Sequence, residues 1–404
     1  MTKLLIGYAN QQYPEKRNII NLLPAAEYRL CRDWFSLQSR LKQLLHIDHS
    51  QAPASLDRQF KFHDFGLNKV DCIHLFNSIN YSHKPWVLTF ETLVPRFQSV
   101  LAERESNPAQ VKKDPKIINA LRAMSEANCL ALLPISRSAG QIQEAFLSLF
   151  PEFKPSLMKK TQVLHPPQVL LEDNPESFEY PCENSNTVSF LMVGHHFFRK
   201  GGCEILDVLS QIRSELSVDI KLCIISKITD DGYATDISDS DRRDVLGFIA
   251  KNSDWIDHYP VLQPKEVEKK MLACDIGLLP SYAETYGYSV LEFQAAGRPV
   301  ITTNVRAFPE INNNECGWII PVGKREVGGE SFFRTQDERS ALSDAIRSGL
   351  YVAVREVIEK PELVRDKGSN AWKRIRDEHD PVKVGEILKK IYSGALQKSH
   401  QGRV

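Results

Sequence analysis

Two doubly wound α/β domains are predicted for this chain, on three observations. Short apolar runs alternate with amphipathic helical stretches on either side of a polar segment, the order that builds a parallel sheet covered by helices. That polar segment, residues 166–187, is rich in Pro, Glu, Asn and Ser and reads as an interdomain linker. The 404 residues are also too many for one core, at about 100–200 residues per domain. The predicted units are an N-terminal domain over 1–165, the linker, a second domain over 188–380, and a C-terminal helix and tail over 381–404.

In the first domain, Leu4 to Ile6, Ile73 to Phe76, Trp86 to Phe90 and Leu130 to Pro134 read as buried strands. Leu41 to Leu45 and Ile142 to Leu149 read as amphipathic helices. After the linker come a strand at Val188 to Val193, a helix at Cys203 to Leu216 and a strand at Ile220 to Ile225. Helices around Asp241 to Asn252 and at Pro264 to Ala273 follow, then a strand at Asp275 to Leu279, a helix at Ser289 to Ala296 and a strand at Pro299 to Thr303. The helix from Pro381 to about Leu396 comes after the second sheet is complete and must dock on something. No tandem repeat or low-complexity tract interrupts the pattern.

Apolar residues make up 42% and charged residues 25%, which excludes a collagen, a disulfide scaffold and a disordered chain. Lys+Arg and Asp+Glu both count 51, so net charge offers no argument for nucleic acid as a partner. The charge is unevenly placed. Residues 1–165 hold 21 basic and 14 acidic side chains, or +7, which leaves 30 against 37, or −7, for the rest. With Lys112-Lys113 and Lys159-Lys160, the basic half suits anionic lipid or a phosphorylated, lipid-linked acceptor, and it also fits an ordinary solvated surface. The eight cysteines never form a close pair of the zinc or redox kind and read as small buried hydrophobes in a reducing, cytoplasmic setting. The N-terminal apolar stretch is too short for a signal peptide, and no run reaches the roughly 18 apolar residues of a membrane span. Any membrane contact is therefore expected to be peripheral, at the inner face.

The densest chemistry lies in PSYAETYGYSVLEFQAAGRPVITTN, residues 280–304. The preceding strand should be central, and open α/β sheets bind ligands at the C-terminal ends of such strands. Glu284 and Glu292 flank Gly287. A helix starting at Tyr288 or Ser289 would place its first amides as an anion site between the two carboxylates. Ser289-x-x-Glu292 is also the pattern of a capping box, which would only stabilise the helix. A second cluster, FLMVGHHFFRKGG at residues 190–202, puts His195, His196, Arg199 and Lys200 on a loop between strand and helix, where basic groups can neutralise a pyrophosphate or simply face solvent.

These two segments, with Cys316-Gly317-Trp318-Ile319-Ile320-Pro321 beyond them, resemble the nucleotide-sugar domain of family 4 (group 1) retaining glycosyltransferases. The resemblance covers about residues 190–325 and implies the GT-B fold: two Rossmann-like domains facing each other across a cleft, with a C-terminal helix crossing back to the N-terminal domain. It implies transfer of a sugar from a nucleoside-diphosphate donor to a hydroxyl of a glycan or lipid-linked acceptor, in bacterial polysaccharide or lipopolysaccharide synthesis, with domain closure joining the two sites. The donor would sit in the C-terminal domain and the acceptor in the N-terminal one.

By the same resemblance, Glu284 contacts the donor sugar near the reacting carbon and Lys200 binds the diphosphate, the two catalytic assignments. Glu292 accepts from the ribose hydroxyls, and Tyr286, Gly287, Tyr288 and Ser289 match the segment that holds sugar and phosphates. The family's usual arginine after the strand glycine is replaced here by His195, so His195 or Arg199 supplies the second phosphate contact. The N-terminal glycine-rich loop is reduced to Gly7, and His74 and Glu91 are the candidates on the acceptor side. No cofactor and no essential metal are expected. The Asp-x-Asp at Asp239 and Asp241 lies in a polar stretch leading into a helix and reads as a cap. A nucleotide-sugar epimerase on the same fold, or a non-catalytic glycan-binding relative, are the alternatives.

Overall fold

The computed structural model describes residues 3–44, 53–184, 186–216, 218–230 and 232–401. Two compact units emerge. Unit 1 comprises Met1–Pro167 with Asp380–Val404, and unit 2 comprises Gln168–His379.

Unit 1 is built on five parallel strands: β1 (Leu4–Tyr8), β2 (Ala26–Leu30), β3 (Cys72–Phe76), β4 (Trp86–Phe90) and β5 (Cys129–Pro134), in the order β2-β1-β3-β4-β5. Strands β3 and β4 are buried along their whole length, which is why they read as unbroken apolar runs. The edge strand β2, AEYRL, is largely exposed and carries no such run, so its sequence does not announce it. Helix α1 (Trp34–Leu44) begins well before the expected Leu41, and Leu45 lies outside the described residues. Helix α2 (Arg137–Leu147) is capped by Ser136, whose side chain accepts from the Ala139 amide.

Unit 2 has six parallel strands: β6 (Thr187–Val193), β7 (Asp219–Ile225), β8 (Ile256–Tyr259), β9 (Ile276–Leu279), β10 (Val300–Thr303) and β11 (Gly317–Ile320), in the order β8-β7-β6-β9-β10-β11. The chain therefore winds outward from β6 to β8, returns, and winds the other way from β9 to β11. Helices α3 (Gly202–Leu216), α4 (Asp239–Lys251), α5 (Pro264–Ala273) and α6 (Tyr288–Ala295) connect these strands. Two long helices that the sequence reading did not register, α7 (Gln336–Glu359) and α8 (Glu362–Glu378), complete the unit. The cap expected near Asp239 forms through Ser238, with the Asp241 carboxylate returning to the Ser238 amide at 2.8 Å.

Most of the segment read as a linker is packed onto unit 2. Phe178 and Tyr180 are buried around the guanidinium of Arg298, which is 1% exposed and lies 4.5 Å from the Tyr180 ring centre. The Cys182 amide donates to Asp275 at 3.0 Å, and the other oxygen of the same carboxylate accepts from Ser189. A few aromatic side chains among polar neighbours were enough to anchor a stretch whose average composition suggests a loose tether.

The final helix, α9 (Pro381–Gln401), belongs to unit 1. Its buried Val384, Leu388, Tyr392 and Ala395, spaced three and four apart, share a core with Ile6, Cys72, Val87 and Ala131. Leu388→Ala is expected to cost about 2–5 kcal/mol in unit 1. Hydrogen exchange would show faster exchange at β1 and β3 amides with β6 unchanged, and equal protection in the variant would refute this account of the docking.

Candidate functional site in unit 2

The reversal of strand order places β6 beside β9 with their following loops leaving in opposite directions, which opens a crevice at the strand ends. The loop after β6 carries 194–201, and the loop after β9 carries 280–287. They approach closely. A Cβ on Gly201, whose φ is +78°, would lie 2.5 Å from the Pro280 carbonyl oxygen, so only glycine fits. The Tyr282 amide donates to the Arg199 carbonyl at 2.9 Å and Arg199 Nη1 to the Ala283 carbonyl at 3.3 Å.

This approach brings together the two residues expected to be catalytic. Lys200 Nζ donates to Glu284 Oε2, with the two side chains only 10% and 12% exposed. Burial pushes the Glu284 carboxyl up, but the Lys200 ammonium, Arg199 and the Thr285 amide outweigh it and hold the group below the usual carboxylate range. Glu284 Oε1 accepts from that amide at 3.1 Å.

Helix α6 begins at Tyr288 with Gly287 as its N-cap, at φ +96° and without a side-chain capping bond. The capping box that Ser289 and Glu292 could have formed is thus not made, because Ser289 stands inside the helix. The first amides of α6 point toward the crevice end of the sheet, and negative charge there is favoured by the helix dipole. Tyr286 is buried with its ring centre 5.3 Å from that of Tyr288, while Tyr288, Ser289 and Glu292 are half-buried on the first turns. His195 is exposed, and Arg199 is half-buried beside the Glu284 loop. His196 takes a left-handed φ of +63°, and its ring is tilted by 54° to that of His195, with centres 6.3 Å apart. Among the described residues no group of three or more His, Cys, Asp or Glu could hold a metal ion.

The two acceptor-side candidates lie in unit 1 and differ sharply. His74 does not face any open edge. It is fully buried, with Nδ1 2.6 Å from Tyr392 Oη and Nε2 2.7 Å from Thr89 Oγ1, so it joins α9 to the sheet and has no ring nitrogen left for an acceptor hydroxyl. Glu91 follows the end of β4, is partly exposed, and pairs with Arg96 and, at 3.3 Å, with Asn77.

The family model described as "Glycosyl transferases group 1" matches residues 173–328, which span the two loops and both glutamates. Glycogen synthase of Mycobacterium tuberculosis is 26% identical over 128 residues, 31% of this chain and 26% of that protein. D-inositol 3-phosphate glycosyltransferase of an Arthrobacter species is 27% identical over 107 residues, 26% of this chain and 24% of that one. The chain thus spans about a quarter of the length of the curated relatives it matches. Among solved structures, the sucrose-phosphate synthase of Thermosynechococcus elongatus covers 97% of this chain and 89% of its own at 15% identity, with a TM-score of 0.55. HepE of Anabaena in complex with UDP-glucose covers 96% and 99% at 13% identity and 0.55. WaaG, a glycosyltransferase of lipopolysaccharide biosynthesis, covers 95% and 99% at 16% and 0.53. The fold is accordingly GT-B, and within it residues 173–328 match the model of group 1 glycosyl transferases.

The setting of His74 makes unit 1 sensitive to acid. Burial pushes its imidazole down to about 3, against 6.5 in the unfolded chain. The neutral ring's contribution is complete above pH 6.5 and is lost as pH falls toward 3, at about 1.4 kcal/mol per pH unit. Urea unfolding from pH 7.5 to 4.5 is expected to show this slope in the wild type and lose it in His74→Gln; parallel slopes would remove His74 as the cause.

Proposed function

We propose that the chain is a glycosyltransferase that takes a sugar from a nucleoside-diphosphate donor held by unit 2 and passes it, with retention of configuration, to a hydroxyl of a glycan or lipid-linked acceptor taken by unit 1. The observation that carries this reading is the Lys200–Glu284 pair at the strand-order reversal, inside the stretch that matches group 1 glycosyl transferases. The setting proposed is bacterial cell-surface polysaccharide or lipopolysaccharide synthesis, in the cytoplasm and at the inner face of the membrane. HepE and WaaG, similar in fold, are described with UDP-glucose and with lipopolysaccharide synthesis respectively.

Sugar transfer needs the departing diphosphate to be stabilised as the anomeric carbon–oxygen bond breaks. In this reading Lys200 and the N-terminus of α6 meet that charge, with Arg199 in preference to the exposed His195 as the second cation. No metal is required, since the negative charge is met by side chains and amides. Glu284 holds hydroxyls of the donor sugar, Glu292 those of the ribose, and Tyr286, Gly287, Tyr288 and Ser289 frame sugar and phosphates. For retention, the acceptor oxygen bonds to the same face of the anomeric carbon, and its proton passes to the leaving phosphate oxygen. Lys200 pairs with Glu284, so a bound diphosphate would compete with a carboxylate for the ammonium.

Peripheral membrane contact is supported by one face of unit 1. Trp34, Leu37 and Leu41 follow one another at helical spacing on α1 and are 41%, 44% and 54% exposed, and Phe65, 63% exposed, stacks edge-on against Trp34. No helix among the described residues is long and apolar enough to cross a membrane.

Thermal shifts against UDP, GDP, ADP and CMP and their sugar conjugates test the donor assignment. At a hundred times its dissociation constant a true donor adds about 2.7 kcal/mol of stability. A selective shift that survives EDTA and disappears in Glu292→Ala is expected; no shift with any nucleotide would defeat the reading. For the membrane, co-sedimentation with phosphatidylglycerol vesicles should fall in Trp34→Glu/Phe65→Glu, and unchanged binding would dismiss this face.

A further inference from the structure

Tyr282 makes bonds that the donor reading does not use. Besides the Arg199 carbonyl met by its amide, its own carbonyl accepts from the hydroxyl of Ser331, and its phenol donates to Glu204 Oε1 at 2.7 Å. Glu204 is 3% exposed and stands on the first turn of α3, four residues after Lys200, where the helix dipole favours a carboxylate. The same Oε1 accepts from Ser343 Oγ of α7 at 2.6 Å, and Arg347 of α7 lies 3.9 Å away while donating to Ser343 Oγ at 2.6 Å. Burial, then the neighbouring Glu204 charge, pushes the Tyr282 phenol up, so it remains a donor.

The geometry points to Tyr282 and Glu204 as positioning residues that hold the Glu284 loop in register with Lys200. Lys200 and the Arg199 carbonyl lie on the turn that leads into α3 and Glu204 on the first turn of α3, and Tyr282 is fixed to this continuous segment through both main chain and side chain. Glu284 follows two residues later, about 7 Å along an extended chain. The phenol–carboxylate bond is the part of this clamp that a side chain supplies, and α7 keeps its acceptor in place. A misplacement of about 1 Å at a reacting centre can cost about a hundredfold in rate, so a buried bond that sets this register has a functional consequence beyond stability. No local pattern marks the pair, since its members are 78 positions apart.

This inference rests on the reading of Glu284 as a ligand of the donor sugar, and two readouts separate the two. The first needs no activity: the midpoint of Glu284 ionisation, followed by carbon-13 NMR of labelled glutamate and assigned with Glu284→Gln. The second is donor turnover. Tyr282→Phe keeps the buried ring and removes only the hydroxyl; Glu204→Gln keeps an acceptor for it. In Tyr282→Phe the midpoint should rise as Lys200 and Glu284 lose register, with kcat lowered about tenfold or more and donor KM changed less than about threefold. In Glu204→Gln both should stay near wild type. An unchanged midpoint in folded Tyr282→Phe overturns the clamp, as does a raised midpoint with unaltered kcat. Wild-type protein that turns over no nucleotide sugar defeats the transferase reading instead, and the NMR midpoint then decides the clamp alone.

Discussion

The close approach of Gly201 to the carbonyl of Pro280 is the constraint on which the site depends. Any side chain at that position would collide with backbone, and the two loops would have to part. Their contact lets the Arg199 carbonyl reach the Tyr282 amide and lets Lys200 reach Glu284. The contact is possible only because β6 and β9 are neighbours whose connections leave toward opposite ends of the sheet. Topology, one glycine and one buried ion pair are thus links in a single chain of cause.

Around that pair, unit 2 keeps further charge inside. Glu204 is matched by Tyr282, Ser343 and Arg347. Glu330, 8% exposed, is matched by Arg306 at 2.5 Å and by the Tyr233 phenol at 2.9 Å, and Arg306 itself sits at a left-handed φ of +50°. Buried pairs of this kind gain little net stability because desolvation offsets attraction. Their effect is geometric: a carboxylate with directional partners has few positions available. Ser331, next in the chain to Glu330, donates to the Tyr282 carbonyl, so both networks reach the segment that carries Glu284.

Much of the strand framework was legible because parallel strands buried on both faces leave unbroken apolar runs, as CIHLF and WVLTF do. The edge strands Ala26–Leu30 and Ile256–Tyr259 escaped because exposure dilutes that signal with Glu, Arg, Asp and His. The segment 166–187 hides its anchoring for the complementary reason: its average is polar, but Phe178 and Tyr180 close around Arg298 and tie it down. His74 reads in the sequence as an acceptor-side candidate, and only the return of α9 supplies the Tyr392 hydroxyl that occupies its ring. At the site, Lys200, Glu284, Gly287 and Glu292 could be picked out by residue type and spacing, but Glu204 and Tyr282 could not.

By itself the sequence determined where apolar runs must be buried, where glycines must turn the chain and which charged residues flank the ends of central strands. Those are local properties, set by solvation and backbone sterics within a few residues. Which charges meet was decided by the tertiary structure alone. A hydrogen bond's direction and length depend on the relative placement of whole elements, and the order of strands in a sheet brings Lys200 to Glu284 and Tyr282 to Glu204 across long separations in the chain.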